Sequence, residues 1–149
     1  MAIVRSRGYG IGCGFVVNGN IVNGHLGLAG EAGYMGINFN RHKKGEEGRG
    51  TLEYSAGVES VVRYMKERLY EFPESPLNEN SNYMDVFEAY KHGDELADWA
   101  VSKVAWMLGY GIANIIYIIN PDCIIIGPDY PDTEDFINKI RSAVRICGA

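Results

Sequence analysis

The chain has 149 residues, close to the usual size of one domain, so two complete hydrophobic cores would be crowded in it. Hydrophobic residues make up 46% and charged residues 22%, which are ordinary globular values and exclude a disordered or fibrous chain. Lys and Arg number 14 against 19 Asp and Glu, a net charge of −5, and the one basic run, Arg41 to Lys44, is short. We therefore expect no direct nucleic-acid contact, because phosphate binding needs a basic stripe.

The cysteines and the most apolar segments indicate the cellular compartment in which this chain is expected. Cys13, Cys123 and Cys147 are far apart and odd in number, and they form neither a C-x-x-C motif nor a zinc-finger spacing. The amino terminus lacks the apolar run of a secretory signal. The apolar stretch 104–119 is shorter than a membrane span and contains glycines, which indicates a buried helix. The expectation is a cytoplasmic chain with no disulfide, no membrane partner and no metal site.

The amino-terminal part predicts a meander of strands. Ile3 and Val4 open a first strand, which runs into alternating glycines at 8–14 before a second strand at 15–17. Asn18 and Gly19 match a type I′ turn, so the second strand should pair antiparallel with residues 21–22. The charged segment 41–50 has nothing apolar to bury and is expected to be an exposed loop.

The rest of the chain alternates between helical patterns and one apolar run. Apolar residues at helical spacing predict a helix over 57–70, and a short amphipathic helix follows at 83–90. Asp94 is an acidic N-cap for a long helix that reaches Ile119, with an apolar stripe expected in the core. The run 123–126 is typical of a strand covered on both faces, and 136–144 predicts a last helix. These elements indicate one α/β domain.

The alternating glycines are candidates for binding phosphate. A dinucleotide-binding fingerprint needs a helix after the glycine turn, whereas a second strand follows here. A glycine turn between two antiparallel strands instead brings backbone N–H groups against a nucleotide phosphate, as in actin-like and hexokinase-like ATPases. The alternative is a hairpin tip without a ligand. Gly10, Gly12 and Gly14 are thus predicted as weak phosphate-binding residues.

The segment 24–34, GHLGLAGEAGY, resembles the signature of the ROK family of sugar kinases and sugar-responsive repressors. Further matches occur in the order and nearly at the spacings of that family. They are the glycines at 8–14, the turn 30–33, the segment 51–53, Gly93 and Asp94 with 111–121, and the run 123–127. The resemblance implies the C-terminal half of an actin-like, ribonuclease H-like ATPase domain, with a strand meander packed against helices.

The resemblance also implies a sugar site. In the family, carboxylates at the positions of Glu31 and Glu53 accept hydrogen bonds from sugar hydroxyls, and the residue at the position of Tyr34, usually His, contacts the sugar. Carboxylates suit this task because each receives two hydroxyl donors in a fixed geometry. The other interpretation is a surface acid without a ligand, and it is weaker for Glu31, which stands between glycines, than for Glu53.

Departures from the family pattern concern zinc and nucleotide. The four ligands of the family's structural zinc site are replaced by Tyr34, Lys44, Glu46 and Thr51, so no zinc is expected. His42 in the same loop has no partners for a metal site. Tyr9 stands where the phosphate loop has a small hydroxyl residue, and Pro128 follows Gly127 where the nucleotide site has another glycine. These changes argue against ATP as a cofactor without deciding whether it binds.

The chain resembles only part of the family's architecture. The Asp-Gly-Gly loop and the general base of the family lie in an upstream domain, which this chain is expected to lack, so no catalytic residue is predicted. The strand and helix that usually close the domain are not expected after Ala149 either. Residues 1–149 are interpreted as one partial ROK-type sugar-binding and dimerisation domain.

Three functions follow from this interpretation. The preferred one is the sugar-sensing and dimerising portion of a ROK-type transcriptional regulator. A fragment of an ATP-dependent sugar kinase is the runner-up, and a ligand-free dimerisation module is the third. A homodimer is expected because the second half of the long helix is apolar on nearly every face and must be covered. The aromatic residues of that helix would take part: Trp99, Trp106, Tyr110 and Tyr117.

Overall fold

The computed structural model describes residues 1–37 and 50–149, so the predicted loop with His42, Lys44 and Glu46 lies mostly outside the described residues. Four strands form one mixed sheet in the order β3-β2-β1-β4. Strands β1 and β2 pair antiparallel, as do β2 and β3, whereas β4 lies parallel to β1. The strands are β1 (Ala2–Arg7), β2 (Gly10–Val17), β3 (Asn20–Ile21) and β4 (Ile124–Ile126).

Helices cover one face of this sheet. They are α1 (Thr51–Ala56), α2 (Ser60–Arg68), α3 (Tyr83–Lys91), α4 (Glu95–Ile119) and α5 (Glu134–Ile146), with short 3-10 turns at Ala32–Tyr34 and Leu69–Glu71. The central helix α4 packs against each of the other four. The predicted α/β class, a strand meander packed against helices, is confirmed.

The predicted turn at Asn18 and Gly19 and the predicted N-cap at Asp94 are both confirmed. Asn18 and Gly19 both adopt positive φ, 51° and 78°, which a type I′ turn requires, and Val16 pairs with Ile21 across it. The Asp94 carboxylate accepts a hydrogen bond from the N–H of Ala97 at 2.8 Å and caps α4. The helix ends at Asn120, whose φ of 47° is left-handed.

The predicted glycine turn is wrong in its extent. The turn consists only of Gly8 and Tyr9, and Gly10 already pairs with Arg7 as the first residue of β2. The hydrogen-bond ladder with β1 holds the following glycines extended, although glycine alone has little preference for a strand. The second strand therefore starts at residue 10, not at residue 15.

The predicted helix over 57–70 is divided differently. An additional helix, α1, precedes Gly57, and α2 begins only at Ser60. The chain breaks at Gly57 because the hairpin tip comes close: a Cβ on Gly57 would lie 3.0 Å from the carbonyl oxygen of Tyr9. A 3-10 turn then carries the chain to Glu71.

Two buried hydroxyl groups, those of Ser6 and Tyr130, form hydrogen bonds to the segment between α1 and α2. Ser6 is fully buried; its hydroxyl donates to the Gly10 carbonyl and accepts from the N–H of Val58, both at 3.0 Å. Tyr130, in the loop after β4, donates its hydroxyl to the Ala56 carbonyl at 2.8 Å. Since unpaired buried polar groups are costly, these bonds set where α1 and α2 meet the sheet.

Among the described residues, helices cover one face of the sheet and not the other, which corrects the prediction for β4. Ile124 and Ile126 are half-buried against the helices, whereas Ile125, between them, is 43% exposed. The strand β1 alternates in the same way, with Ala2, Val4 and Ser6 buried and the residues between them exposed. An apolar run therefore did not mean burial on both faces of this strand.

The long helix α4 is only partly the buried helix that was predicted. Its stripe from Leu96 to Ile115 is buried, but Tyr117, Ile118 and Ile119 in the last turn are exposed. By length and composition alone the helix could cross a membrane. Here it packs against four helices of the same domain, as a core helix does.

Candidate functional site

A cleft with a volume of about 620 Å³ lies at the exposed face of the β1–β2 hairpin. All six residues that were predicted as site residues line it: Glu31, Tyr34 and Glu53 for a sugar, and Gly10, Gly12 and Gly14 for a phosphate. They come from β2, from the segment after β3 and from α1. Tertiary folding thus brings two separate sequence predictions into one place.

The glycines of β2 form the floor of the cleft. Gly10, Gly12 and Gly14 lie opposite Arg7, Arg5 and Ile3 of β1 on the outward face of the sheet. A Cβ on Gly12 or Gly14 would meet nothing within 4 Å, so the absence of side chains leaves open space above the strand.

The backbone of these glycines is engaged within the sheet. The N–H of Cys13 donates to Gly30 at 2.7 Å and that of Val16 to Met1 at 2.9 Å, on opposite edges of β2. By alternation, the N–H groups of Gly12 and Gly14 face β1 and not the cleft. Burial also raises the pKa of the Cys13 thiol to about 11, so this residue is no ready nucleophile.

The wall that carries Glu31 and Tyr34 depends on two small residues. Gly30 has a φ of 96°, and a Cβ there would lie 1.8 Å from the carbonyl oxygen of Cys13. A Cβ on Gly33 would lie 2.5 Å from the carbonyl oxygen of Ile11. The segment can therefore lie directly against β2, and the exposed side chains of Glu31 and Tyr34 stand at the rim of the cleft.

The two carboxylate oxygens of Glu53 differ in their contacts with the described residues. Its Oε1 accepts the N–H of Gly50 at 3.1 Å and caps the first turn of α1. Its Oε2 lies beside the backbone of Gly33 and Gly10, where added Cβ atoms would be 2.8 and 3.9 Å away. Among the residues that the structure describes, none donates a hydrogen bond to Oε2. This oxygen can accept a hydroxyl from a ligand.

Two of the four positions at which the resemblance places zinc ligands, Tyr34 and Thr51, belong to the described residues. Tyr34 is exposed, and the Thr51 hydroxyl is engaged twice, donating to the Met35 carbonyl at 2.8 Å and accepting from the N–H of Ile37 at 2.7 Å. Within residues 1–37 and 50–149, no three His, Cys, Asp or Glu side chains are grouped to hold a metal ion. Lys44 and Glu46 lie outside the described residues.

The loop after β4 packs against Arg5, which lines the cleft. The N–H of Gly127 donates to the Val4 carbonyl at 2.7 Å, and Pro128 has no N–H to offer a ligand. A Cβ on Gly127 would lie 3.1 Å from Cβ of Arg5, so the loop packs closely on that arginine. Asp129 then accepts a hydrogen bond from Arg5 Nε at 3.2 Å.

Four further lining residues were missed by the sequence reasoning: Ile3, Arg5, Arg7 and Ile11. Arg5 and Arg7 occupy alternate outward positions of β1. The period-two pattern of residues 2–7 could have found them, since every second residue is apolar or small. The strand was recognised only at Ile3 and Val4, so the alternation was not followed into the arginines.

Comparison with protein families matches the chain to the ROK family over residues 2–147. It is 35% identical over 144 residues to a glucokinase of Halalkalibacterium halodurans, covering 92% of this chain and 44% of that protein. It is 28% identical over 148 residues to a xylose repressor of Caldicellulosiruptor bescii, covering 95% of this chain and 37% of that protein. The chain therefore spans less than half the length of these relatives.

Solved structures agree with the sequence comparison. A ROK family protein from Streptococcus pneumoniae, crystallised in complex with sucrose, matches with a TM-score of 0.76 and 27% identity, covering 98% of this chain and 46% of that one. Solved ROK kinases and regulators, which have the actin-like ATPase fold, also match. That fold is the one expected from the sequence, and the family match extends over nearly the whole chain. The chain belongs to the ROK family.

Proposed function

We propose that this chain is the sugar-sensing portion of a ROK transcriptional regulator and that Glu31, Glu53 and Tyr34 bind the sugar. The observation that carries the proposal is the meeting of these three residues in one cleft with an open glycine floor. Glu53 Oε2 and the exposed Glu31 carboxylate offer acceptors for hydroxyls, and Tyr34 offers an amphipathic ring at the rim.

We prefer a regulator to a kinase because the residues predicted to contact a nucleotide phosphate offer few hydrogen-bond donors. The N–H groups of Gly12 and Gly14 face β1, and Pro128 lacks a donor, so a nucleotide phosphate would find few backbone N–H groups here. We propose that ATP is not a cofactor of this chain and that it carries no catalytic residue. A sugar kinase fragment remains the second candidate, because one relative is a glucokinase.

The sugar panel for a test follows from the names of the relatives. One relative is named a xylose repressor, one a glucokinase, and one solved relative holds sucrose. Xylose, glucose and sucrose are therefore the probes. The three unpaired cysteines and the character of these relatives support a cytoplasmic location.

The first prediction concerns whichever of these three sugars binds the unaltered chain. Glu53→Gln and Glu31→Gln should each weaken its binding at least tenfold in calorimetric titration. Removing the charge weakens charge-assisted hydrogen bonds to hydroxyls, while the side-chain carbonyl of the Glu53→Gln variant can still accept the Gly50 N–H. Glu74→Gln is the control, since Glu74 is exposed and does not line the cleft. Unchanged affinity in both cleft variants would refute the assignment. ATP-dependent phosphorylation of the sugar would favour the kinase.

We also propose a homodimer that forms through α4. The half-exposed side of this helix carries a shallow groove of about 320 Å³ lined by Trp99, Ser102, Lys103, Trp106, Met107 and Tyr110. Trp106 and Tyr110 stack edge to face with centroids 6.2 Å apart. Aromatic residues of this kind are common in protein interfaces, because they bury large area at low entropy cost.

A further inference from the structure

We propose that Thr51 is a positioning residue of the cleft: its hydroxyl holds the segment that carries Glu31 in a fixed place relative to Glu53. This role rests on the proposed function, because it concerns how the same two carboxylates are presented to a sugar. Thr51 does not line the cleft, so it acts on a ligand only through other residues.

The Thr51 hydroxyl joins the first residue of α1 to the end of the wall segment, residues 30–35. It donates to the Met35 carbonyl at 2.8 Å and accepts from the N–H of Ile37 at 2.7 Å. The N–H of Leu52 donates to the same Met35 carbonyl at 3.1 Å. Thr51 is only 5% exposed, so water has little access to these bonds. Because Met35 and Thr51 are 16 positions apart in the sequence, the contact is tertiary.

The backbone before α1 also touches the wall segment directly. A Cβ on Gly50 would lie 1.8 Å from the carbonyl oxygen of Gly33 and 2.3 Å from Cα of Tyr34. A Cβ on Gly33 would in turn lie 2.8 Å from Glu53 Oε2. A displacement of the wall segment therefore moves the backbone that lies beside the Glu53 carboxylate.

Both carboxylates must be well placed to bind one sugar. An O–H···O hydrogen bond is favourable over a range of about 0.5 Å in the distance between its oxygens. A shift of about 1 Å in one segment is therefore enough to lose hydrogen bonds to a ligand held between Glu31 and Glu53. Backbone contact has little directional preference, whereas the two bonds of the Thr51 hydroxyl are directional. We infer that this hydroxyl, more than the packing, sets the relative position of the two segments.

The test compares two variants that differ in the hydroxyl. Thr51→Val keeps the shape of the side chain without the hydroxyl, and Thr51→Ser keeps the hydroxyl. Calorimetric titration of the full chain with xylose, glucose and sucrose measures the affinity. Thr51→Val should weaken binding by about fivefold or more, the loss expected from about 1 kcal/mol of hydrogen bonding. Thr51→Ser should retain most of the affinity.

The matched control is Thr133→Val, which removes the hydroxyl that caps α5. That hydroxyl accepts from the N–H of Phe136 at 3.2 Å, and Thr133 does not line the cleft. The variant should lower the midpoint of urea denaturation, because an N-cap is lost, without weakening sugar binding. If it weakens binding as much as Thr51→Val does, the loss reflects stability and the inference is wrong.

Two further results in a chain that binds sugar would overturn the inference and leave the sugar site standing. One is an affinity of Thr51→Val within about twofold of that of the unaltered chain, which is less than the loss expected for one hydrogen bond. The other is an equal loss of affinity in Thr51→Ser, since the hydroxyl would then not be its cause.

Amide hydrogen exchange tests the position of the wall segment without a ligand. The N–H groups of Tyr34 and Met35 bond within the segment, and that of Ile37 bonds to Thr51. Thr51→Val should speed exchange at all three by about tenfold or more, and Thr133→Val should not. If none of the three sugars binds, the proposed function fails and this measurement alone decides. Unchanged exchange at Tyr34 and Met35 would show that the hydroxyl does not hold the segment.

Discussion

At the scale of single residues, the glycines of the cleft divide into two kinds. Gly30 and Gly33 permit close backbone approach, because a Cβ on either would overlap a carbonyl oxygen of β2. Gly12 and Gly14 have open space above them and instead leave the cleft empty. The first kind serves folding and the second serves the ligand, although both belong to the same glycine-rich pattern in the sequence.

The second prediction uses this division. Gly30→Ala should lower the free energy of unfolding by about 2–4 kcal/mol, because Gly30 combines a positive φ with a steric overlap. Gly12→Ala should change stability by less than about 1 kcal/mol and should weaken ligand binding, since its methyl group enters the cleft. Urea denaturation and calorimetric titration measure the two effects. Equal stability of both variants would contradict the close approach at Gly30.

At the scale of elements, a polar cluster joins α3, α4 and α5. Lys139 of α5 contacts Asp98 of α4 at 3.0 Å and Asp135 at 3.1 Å, and the Tyr90 hydroxyl of α3 donates to Asp135. The hydrogen bond from Tyr90, followed by that from Lys139, holds the pKa of Asp135 below its usual value. Burial, together with the bond to Asp135, raises the pKa of Tyr90 to about 12.

The third prediction concerns the pH dependence of stability. The contribution of Asp135 is present above the unfolded pKa of about 4 and is lost as the pH falls further. The contribution of Tyr90 is complete below about pH 10 and is lost as the pH rises towards 12. Tyr90→Phe should reduce both declines in urea denaturation at several pH values. Burial also raises the pKa of Tyr64 and Tyr130, so part of the alkaline decline stays.

The control for this prediction is Tyr70→Phe, because Tyr70 is 87% exposed and lies outside the cluster that joins α3, α4 and α5. It should leave the pH profile of stability unchanged. A profile of the Tyr90 variant that superimposes on the unaltered chain at both ends would show that the contact between α3 and α5 does not couple folding to pH.

At the scale of the whole molecule, the fourth prediction is a homodimer in light scattering at micromolar concentration. Such an interface should bury more than about 1,000 Å² in total. Trp106→Glu should produce a monomer with unchanged circular dichroism, because Trp106 is only half-buried in α4. Leu28→Glu, at an exposed apolar residue away from that helix, should stay dimeric. A monomeric unaltered chain would refute the assembly.

The fifth prediction is that the purified chain contains no stoichiometric zinc. Tyr34 and Thr51 stand at two of the family's ligand positions, and the Thr51 hydroxyl is occupied by two backbone hydrogen bonds. Elemental analysis of protein purified without a metal-affinity step measures this directly. One zinc ion per chain would show that the departures from the family pattern do not remove the site.

The sequence by itself determined the features that depend on near neighbours. Asn18 and Gly19 predict their turn, Asp94 predicts the start of α4, and the helix at Tyr83–Lys91 follows from its apolar spacing. The candidate sugar residues followed from a family resemblance, which rests on short sequence motifs such as residues 24–34 and 51–53. These signals lie within a few residues of the structure that they specify, so an isolated sequence can carry them.

Only the tertiary structure decided which surfaces are open and which residues meet. Ile125 belongs to an apolar run yet is exposed, because the described helices lie on one face of the sheet. The glycines of β2 are extended because β1 pairs with them, and that same pairing sets Arg5 and Arg7 beside them. Coverage of a face and register between strands arise from contacts between residues far apart in the chain, which local patterns do not encode.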